Sequence, residues 1–171
     1  MKRKSLLAWV VLALLIVTVL GPQPATARAV RTEFTGTETP IQLIDPGDSH
    51  VLPNGGVHIR GKVFQAAEVA TDPRVSGTSM VVSNGNLDPS GTGPIWGTFV
   101  IEVPSSQDCQ GGGRWEGTWA GQVSYSEYYC YWHVVTHGVS GCVEGLQASY
   151  YADCLSGIST YSGTILDPHG E

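Results

Sequence analysis

Charge is scarce in this sequence. Of its 171 residues 24 are charged, 14% against about 25% in an average domain, which excludes coiled coils, nucleic-acid-binding tails and highly charged disordered chains. Lysine is rarer still, with Lys62 alone beyond residue 27. There is no P-loop, no G-x-S-x-G, no H-E-x-x-H and no N-x-S/T sequon, so phosphate-loop, serine-hydrolase and zinc-protease chemistry lack their signatures, and no cofactor is expected. No C-x-x-C pair occurs, which argues against structural zinc. No segment carries an apolar stripe at helical spacing.

One long apolar run exists, at the start. Met1-Lys2-Arg3-Lys4 is a basic head, Leu6 to Leu20 is almost wholly apolar, and Gly21-Pro22-Gln23-Pro24 precedes Ala25-Thr26-Ala27. This is the pattern of a secretory signal peptide over residues 1–27. The run falls short of the about 20 residues a membrane span requires. Residues 28–171 then form a single domain, with six basic side chains against fifteen acidic ones, a net charge of −9. So acidic a surface repels phosphate backbones and anionic headgroups, so neither nucleic acid nor membrane is expected as a partner.

All four cysteines lie in the exported part. Cys109, Cys130, Cys142 and Cys154 form an even set in an oxidising compartment and read as two disulfides with three possible connectivities. Turns near Ser124 to Ser126 and near Gly138 to Gly141 make a meander that brings Cys109 toward Cys142 and Cys130 toward Cys154. That pairing is the favoured one.

Glycine is the abundant residue, 22 of 171. Runs rich in Val, Ile, Thr, Tyr and Trp alternate with Gly, Pro, Asn and Asp clusters, predicting strands near 31–39, 57–68, 74–83, 94–103, 113–122, 128–137, 143–152 and 159–166, with a short extra one at 41–44. Inside them a motif recurs: Phe34-Thr35-Gly36-Thr37, Val75-Ser76-Gly77-Thr78, Ile95-Trp96-Gly97-Thr98, Trp115-Glu116-Gly117-Thr118 and Tyr161-Ser162-Gly163-Thr164. Gly61 and Gly145 add a glycine to two more predicted strands. Interior strand glycines weaken a strand, so their recurrence needs a cause, and sharp coiling of a closed sheet supplies one. The expected fold is all-β, a closed eight-stranded antiparallel β-barrel, with a β-sandwich as the alternative.

The Gly113-x-Trp115-x-Gly117-x-Trp119-x-Gly121 run, followed by a Gly-x-x-Gly turn and Val143-Glu144-Gly145-Leu146, resembles secreted bacterial proteins of the allene oxide cyclase and dirigent barrel type. The resemblance covers roughly residues 57–167. It implies eight antiparallel strands around an apolar cavity, which the plant enzymes use to shape a hydrophobic or radical substrate. No run matches the plant enzymes' catalytic residues, so no catalytic role is carried over.

Candidate ligand-binding residues follow from face and chemistry. Trp115 and Trp119 flank Gly117 on one face of the fifth strand and offer wide flat surfaces for a sugar or an apolar ligand, or simply fill the interior. Glu116 and Glu144 each precede a glycine; if both faced inward they would form a carboxylate pair for acid and base work. Along Tyr128 to His137, Cys130, Trp132, Val134 and Thr136 form the more apolar face and are expected inside, leaving Tyr131, His133 and His137 outside; the reversed phase would line a polar pocket with them. His133 and His137 lie about 13 Å apart along a strand, too far to chelate one ion, so no metal site is expected.

These readings describe a secreted, disulfide-stapled β-barrel, extracellular or periplasmic, that binds a small apolar or aromatic ligand or acts at the cell surface without catalysis. The alternative is a cyclase- or isomerase-like enzyme acting by confinement in the cavity. A third reading, a structural or partner-binding module, requires a filled interior and a large exposed aromatic patch. An open cavity holding Glu or His with a shifted pKa favours the enzyme.

Overall fold

The computed structural model describes residues 28–155 and 158–170; the expected leader, residues 1–27, and part of the Asp153 to Gly157 turn lie outside them. Nine strands form one antiparallel sheet: β1 (Val30–Asp45), β2 (Asp48–Val51), β3 (Val57–Ala70), β4 (Gly77–Leu87), β5 (Thr92–Val103), β6 (Gly113–Ser124), β7 (Tyr129–Gly141), β8 (Gln147–Leu155) and β9 (Ile158–Asp167). From β3 to β9 every strand pairs with its sequence neighbour. The ring closes through β1, whose first half pairs with β9 and whose second half pairs with β3. Eight strands thus form a hydrogen-bonded ring, and β2 extends the edge of β3.

Strand β2 is not expected from the sequence, β7 runs on to Gly141, and four further differences have a visible local setting. The predicted extra strand at 41–44 is the continuation of β1, which runs past Pro40 through a register shift. Pro73–Val75 is a 3-10 turn rather than the start of a strand, because the Asp72 carboxylate accepts from the Arg74 backbone N–H at 3.0 Å and caps it. Strand β4 runs on to Leu87, and the turn begins at Asp88, whose Oδ1 accepts from the Ser90 and Thr92 amides. Strand β8 begins at Gln147 instead of 143, because Gly145 adopts a left-handed conformation (φ 81°) and Gly145 N–H bonds back to the Gly138 carbonyl.

The strand glycines pair with aromatics. Directly opposite Gly36 stands Tyr161, opposite Gly163 stand Phe34 and Tyr150, opposite Gly117 stands Phe99, and opposite Gly97 stands Trp119. The Tyr161 ring lies across Gly36, a Cβ on Gly117 would stand 2.8 Å from the Phe99 ring, one on Gly97 would stand 2.9 Å from Trp119 Nε1, and one on Gly163 would stand 2.3 Å from Tyr150 Cβ. Glycine therefore makes room for large inward rings in a tightly closed sheet.

The interior is unevenly filled. At one end Val75, Val103, Cys109, Trp115, Val143 and Leu146 pack into a solid plug, with Trp115 fully buried and its Nε1–H donating to the Arg74 carbonyl at 2.6 Å. The two disulfides join the cysteines that the meander places together. Cys109–Cys142 ties the β5–β6 connection to the β7–β8 turn at the plug, and Cys130–Cys154 links a directly opposed pair on β7 and β8 at the other end, with Cα separations of 5.2 and 5.1 Å.

Glycine substitutions separate the two roles of this residue. Gly163→Ala and Gly117→Ala each force a Cβ into a neighbouring strand or ring and should destabilise by about 1–3 kcal/mol. Gly61→Asn, at a β3 bulge with φ 64° and nothing near its missing Cβ, should stay within about 0.5 kcal/mol, since Asn tolerates that conformation. Urea midpoints at constant m measure both; equal losses at all three positions would contradict the crowding account.

Candidate functional site

Beyond the plug the ring encloses a cavity of about 450 Å³. Its walls are apolar because the alternating inward positions of β3 to β7 supply Phe64, Val81, Ile95, Phe99, Trp119 and Val134. Tyr125, Tyr128 and Tyr129 mark the rim; Tyr128 is 82% exposed. The Cys130–Cys154 bridge lies beside them.

The deep pole is polar. Glu38 on β1 stands directly opposite Glu68 on β3 across the seam that closes the ring, and both line the cavity. Glu68 is only 4% exposed. The Ser79 hydroxyl donates to its Oε1 at 2.8 Å, and the nearby Tyr161 phenol also favours the ionised form of the same carboxyl. Glu38 has no hydrogen-bond or ion-pair partner among the described residues and keeps some accessible surface because it faces the cavity. Burial, reinforced by the facing Glu68, pushes Glu38 up to about 8. Burial also raises Glu68, against the lowering pull of its Ser79 hydrogen bond and of the Tyr161 phenol. The two titrate as a unit, and near neutrality the pair retains a proton. Burial and the nearby carboxyls raise the Tyr150 and Tyr161 phenols, so both remain protonated donors.

The residues singled out from sequence separate in space. Trp119 lines the cavity, its ring edge-on to Trp132 at 6.1 Å and its Nε1 without a hydrogen-bond partner among the described residues. Trp115 faces inward too, but in the plug. Glu116 is on the outer face, 2.9 Å from Arg114 Nε, and Arg114 also bridges to Glu102. Tyr131 points outward and donates to Gln122 at 3.2 Å. His133 is also outside, with Nε2 2.8 Å from Ser149 Oγ and its ring stacked on Tyr151 at 4.4 Å. Glu144 sits exposed in the β7–β8 turn. No Glu116–Glu144 pair forms, because one carboxylate is on the outer phase of β6 and the other is in a turn.

The carboxyl pair that does form is Glu38–Glu68. A signal for it is present in the sequence: Phe34-x-Gly36-x-Glu38 and Phe64-x-Ala66-x-Glu68 put each carboxylate in phase with inward apolar residues. Their meeting depends on β1 pairing with β3, which no hairpin spacing announces.

Both carboxyls hold their protons more tightly in the folded chain than in the unfolded one. Their contribution to stability is therefore full below the ordinary value of 4.5 and is lost as pH rises toward about 8. Glu38→Gln removes one titration and relieves Glu68. The variant should show a flatter decline in unfolding free energy between pH 5 and pH 8 and exceed the native chain in stability at pH 8. Denaturant titrations across that range check this; parallel pH profiles for the two chains would refute the assignment.

No protein-family model and no curated protein matches the chain, so the side chains gathered in the cavity carry the functional reading.

Proposed function

We propose that this chain is exported and that it binds a small, predominantly apolar or aromatic molecule in the cavity enclosed by its strand ring. The observation that carries this reading is the cavity itself, about 450 Å³ with mostly apolar walls and a buried carboxyl pair at one pole, which is the size and character of small-molecule sites. Two disulfides and the acidic, lysine-poor composition support an extracellular or periplasmic setting. The open interior speaks against a purely structural module. An eight-strand ring around an apolar cavity supports the resemblance to the allene oxide cyclase and dirigent type, which stands as part of this proposal.

A second reading rests on Glu38–Glu68. A carboxyl that keeps its proton beside one that ionises provides an acid and a base in one confined space, which is what a cyclase- or isomerase-like enzyme requires. Binding is common to both readings, so it is the quantity to measure first.

The neutral fluorophore N-phenyl-1-naphthylamine should bind one per chain with enhanced emission. Val81→Trp, which fills the cavity wall, should weaken that binding at least about tenfold, on the order of 1.4 kcal/mol, while the disulfides and strand content remain. Unchanged binding in the filled variant would place the fluorophore elsewhere and remove the support for this reading.

A further inference from the structure

We infer that Glu38 and Glu68 form a receptor for one protonated amine, so that the ligand class is a monocationic amine on an apolar or aromatic body; this rests on the cavity-binding reading above. The two carboxyls project from directly opposed residues of an antiparallel pair, whose Cβ atoms stand about 4.5–5.5 Å apart, so one ammonium can reach both. An ammonium carries three donors, and the pair has acceptor capacity to spare: Glu68 receives the Ser79 hydroxyl and Glu38 receives none among the described residues. Aromatic faces are close by. Tyr150 lines the cavity, its ring 5.0 Å from Tyr161 and 5.8 Å from Phe34, which suits a cation as it does not suit an anion.

Charge bookkeeping selects the same class. The elements around the pole contribute Glu38 from β1, Glu68 from β3, and the neutral phenols Tyr150 from β8 and Tyr161 from β9; β4 contributes Ser79, which does not titrate. Lys62 also lines the cavity, but six residues along β3 from Glu68, about 20 Å of extended strand. Among the described residues the pole therefore has no internal counter-charge. A monocation supplies one, an anion adds a second buried negative charge, and a neutral ligand leaves the existing one uncompensated. The net charge of −9 on residues 28–171 draws cations toward the cavity.

Binding is then linked to protons. The ammonium needs one ionised carboxyl, so from the fully protonated pair it displaces one proton and leaves the other, and affinity rises with pH while the amine stays protonated, as aliphatic amines do to about 10.4.

Three probes of equal shape decide the matter by calorimetry on the full exported chain: 2-(2-naphthyl)ethylamine, 2-(2-naphthyl)ethanol and 2-naphthylacetate. At pH 8.5 the amine should bind at least about tenfold more tightly than the alcohol, and the acetate should be weakest. At pH 5.5 the amine's advantage should shrink severalfold. At pH 7.5 the heat of amine binding, but not of alcohol binding, should depend on the buffer's ionisation enthalpy, showing proton release. Glu38→Gln with Glu68→Gln should abolish the amine preference, bringing the amine and alcohol affinities to within about twofold of each other; if that variant does not fold, the pH and buffer series on the native chain decide alone. An alcohol that binds as well as the amine, or an amine preference that persists in the double variant, overturns the amine receptor and leaves the binding cavity intact. Failure of all three probes to bind overturns both.

Discussion

The interior of this protein depends on glycine standing opposite an aromatic ring. In a closed antiparallel sheet the inward positions crowd one another, and the large rings here stand where one of their two facing residues has no Cβ. Gly97 accommodates Trp119, Gly117 accommodates Phe99, Gly163 accommodates Tyr150 and Gly36 accommodates Tyr161. The first two set the apolar wall of the cavity. The last two stand beside its polar pole, with the Tyr161 ring and hydroxyl lying across Gly36, two residues from Glu38. Strand glycines and the acidic pole are thus neighbours in one crowded part of the ring.

The second organising fact is the unequal filling of the ring. Trp115 and its neighbours close one end, and the Cys109–Cys142 bridge fixes the connections that cover it. The other end keeps its opening between tyrosines, with Cys130–Cys154 holding β7 to β8 at the rim. With cysteines 33 and 24 residues apart, each bridge restricts the unfolded chain by roughly 3–4 kcal/mol in the loop-entropy account. That stabilisation matters in a ring that leaves part of its interior empty, since unfilled volume forgoes packing.

Much of this was legible in the sequence where neighbours in the chain are neighbours in the sheet. The Gly-Thr repeat and the turn clusters gave the strands, the meander gave both cysteine pairs, and the phase of Tyr128 to His137 put Cys130 and Val134 inside and His133 outside. What escaped was set by single backbone choices or by distant pairing. Gly145 reads as a strand glycine but takes a left-handed turn, which moved Glu144 out of the sheet. Glu116 obeyed its alternation and went outside. Glu38 and Glu68 each carried an inward phase, yet only closure of β1 onto β3 made them a pair, and a ring can be closed in several registers without changing any local pattern.

The pair itself runs against stability. Two like carboxyls directly opposite each other, buried and without a cation, oppose folding in any accounting, and neutral or apolar side chains there would relieve the fold. They stand at the seam where β1 passes from β9 to β3, the pairing on which ring closure depends, so the penalty falls at the place least able to relax. Ser79 hydrogen-bonds to Glu68, whereas Glu38 is left facing the cavity with no partner among the described residues. A structural role would have satisfied both carboxyls. An arrangement that satisfies one and turns the other toward an apolar cavity is what the amine-binding proposal rests on.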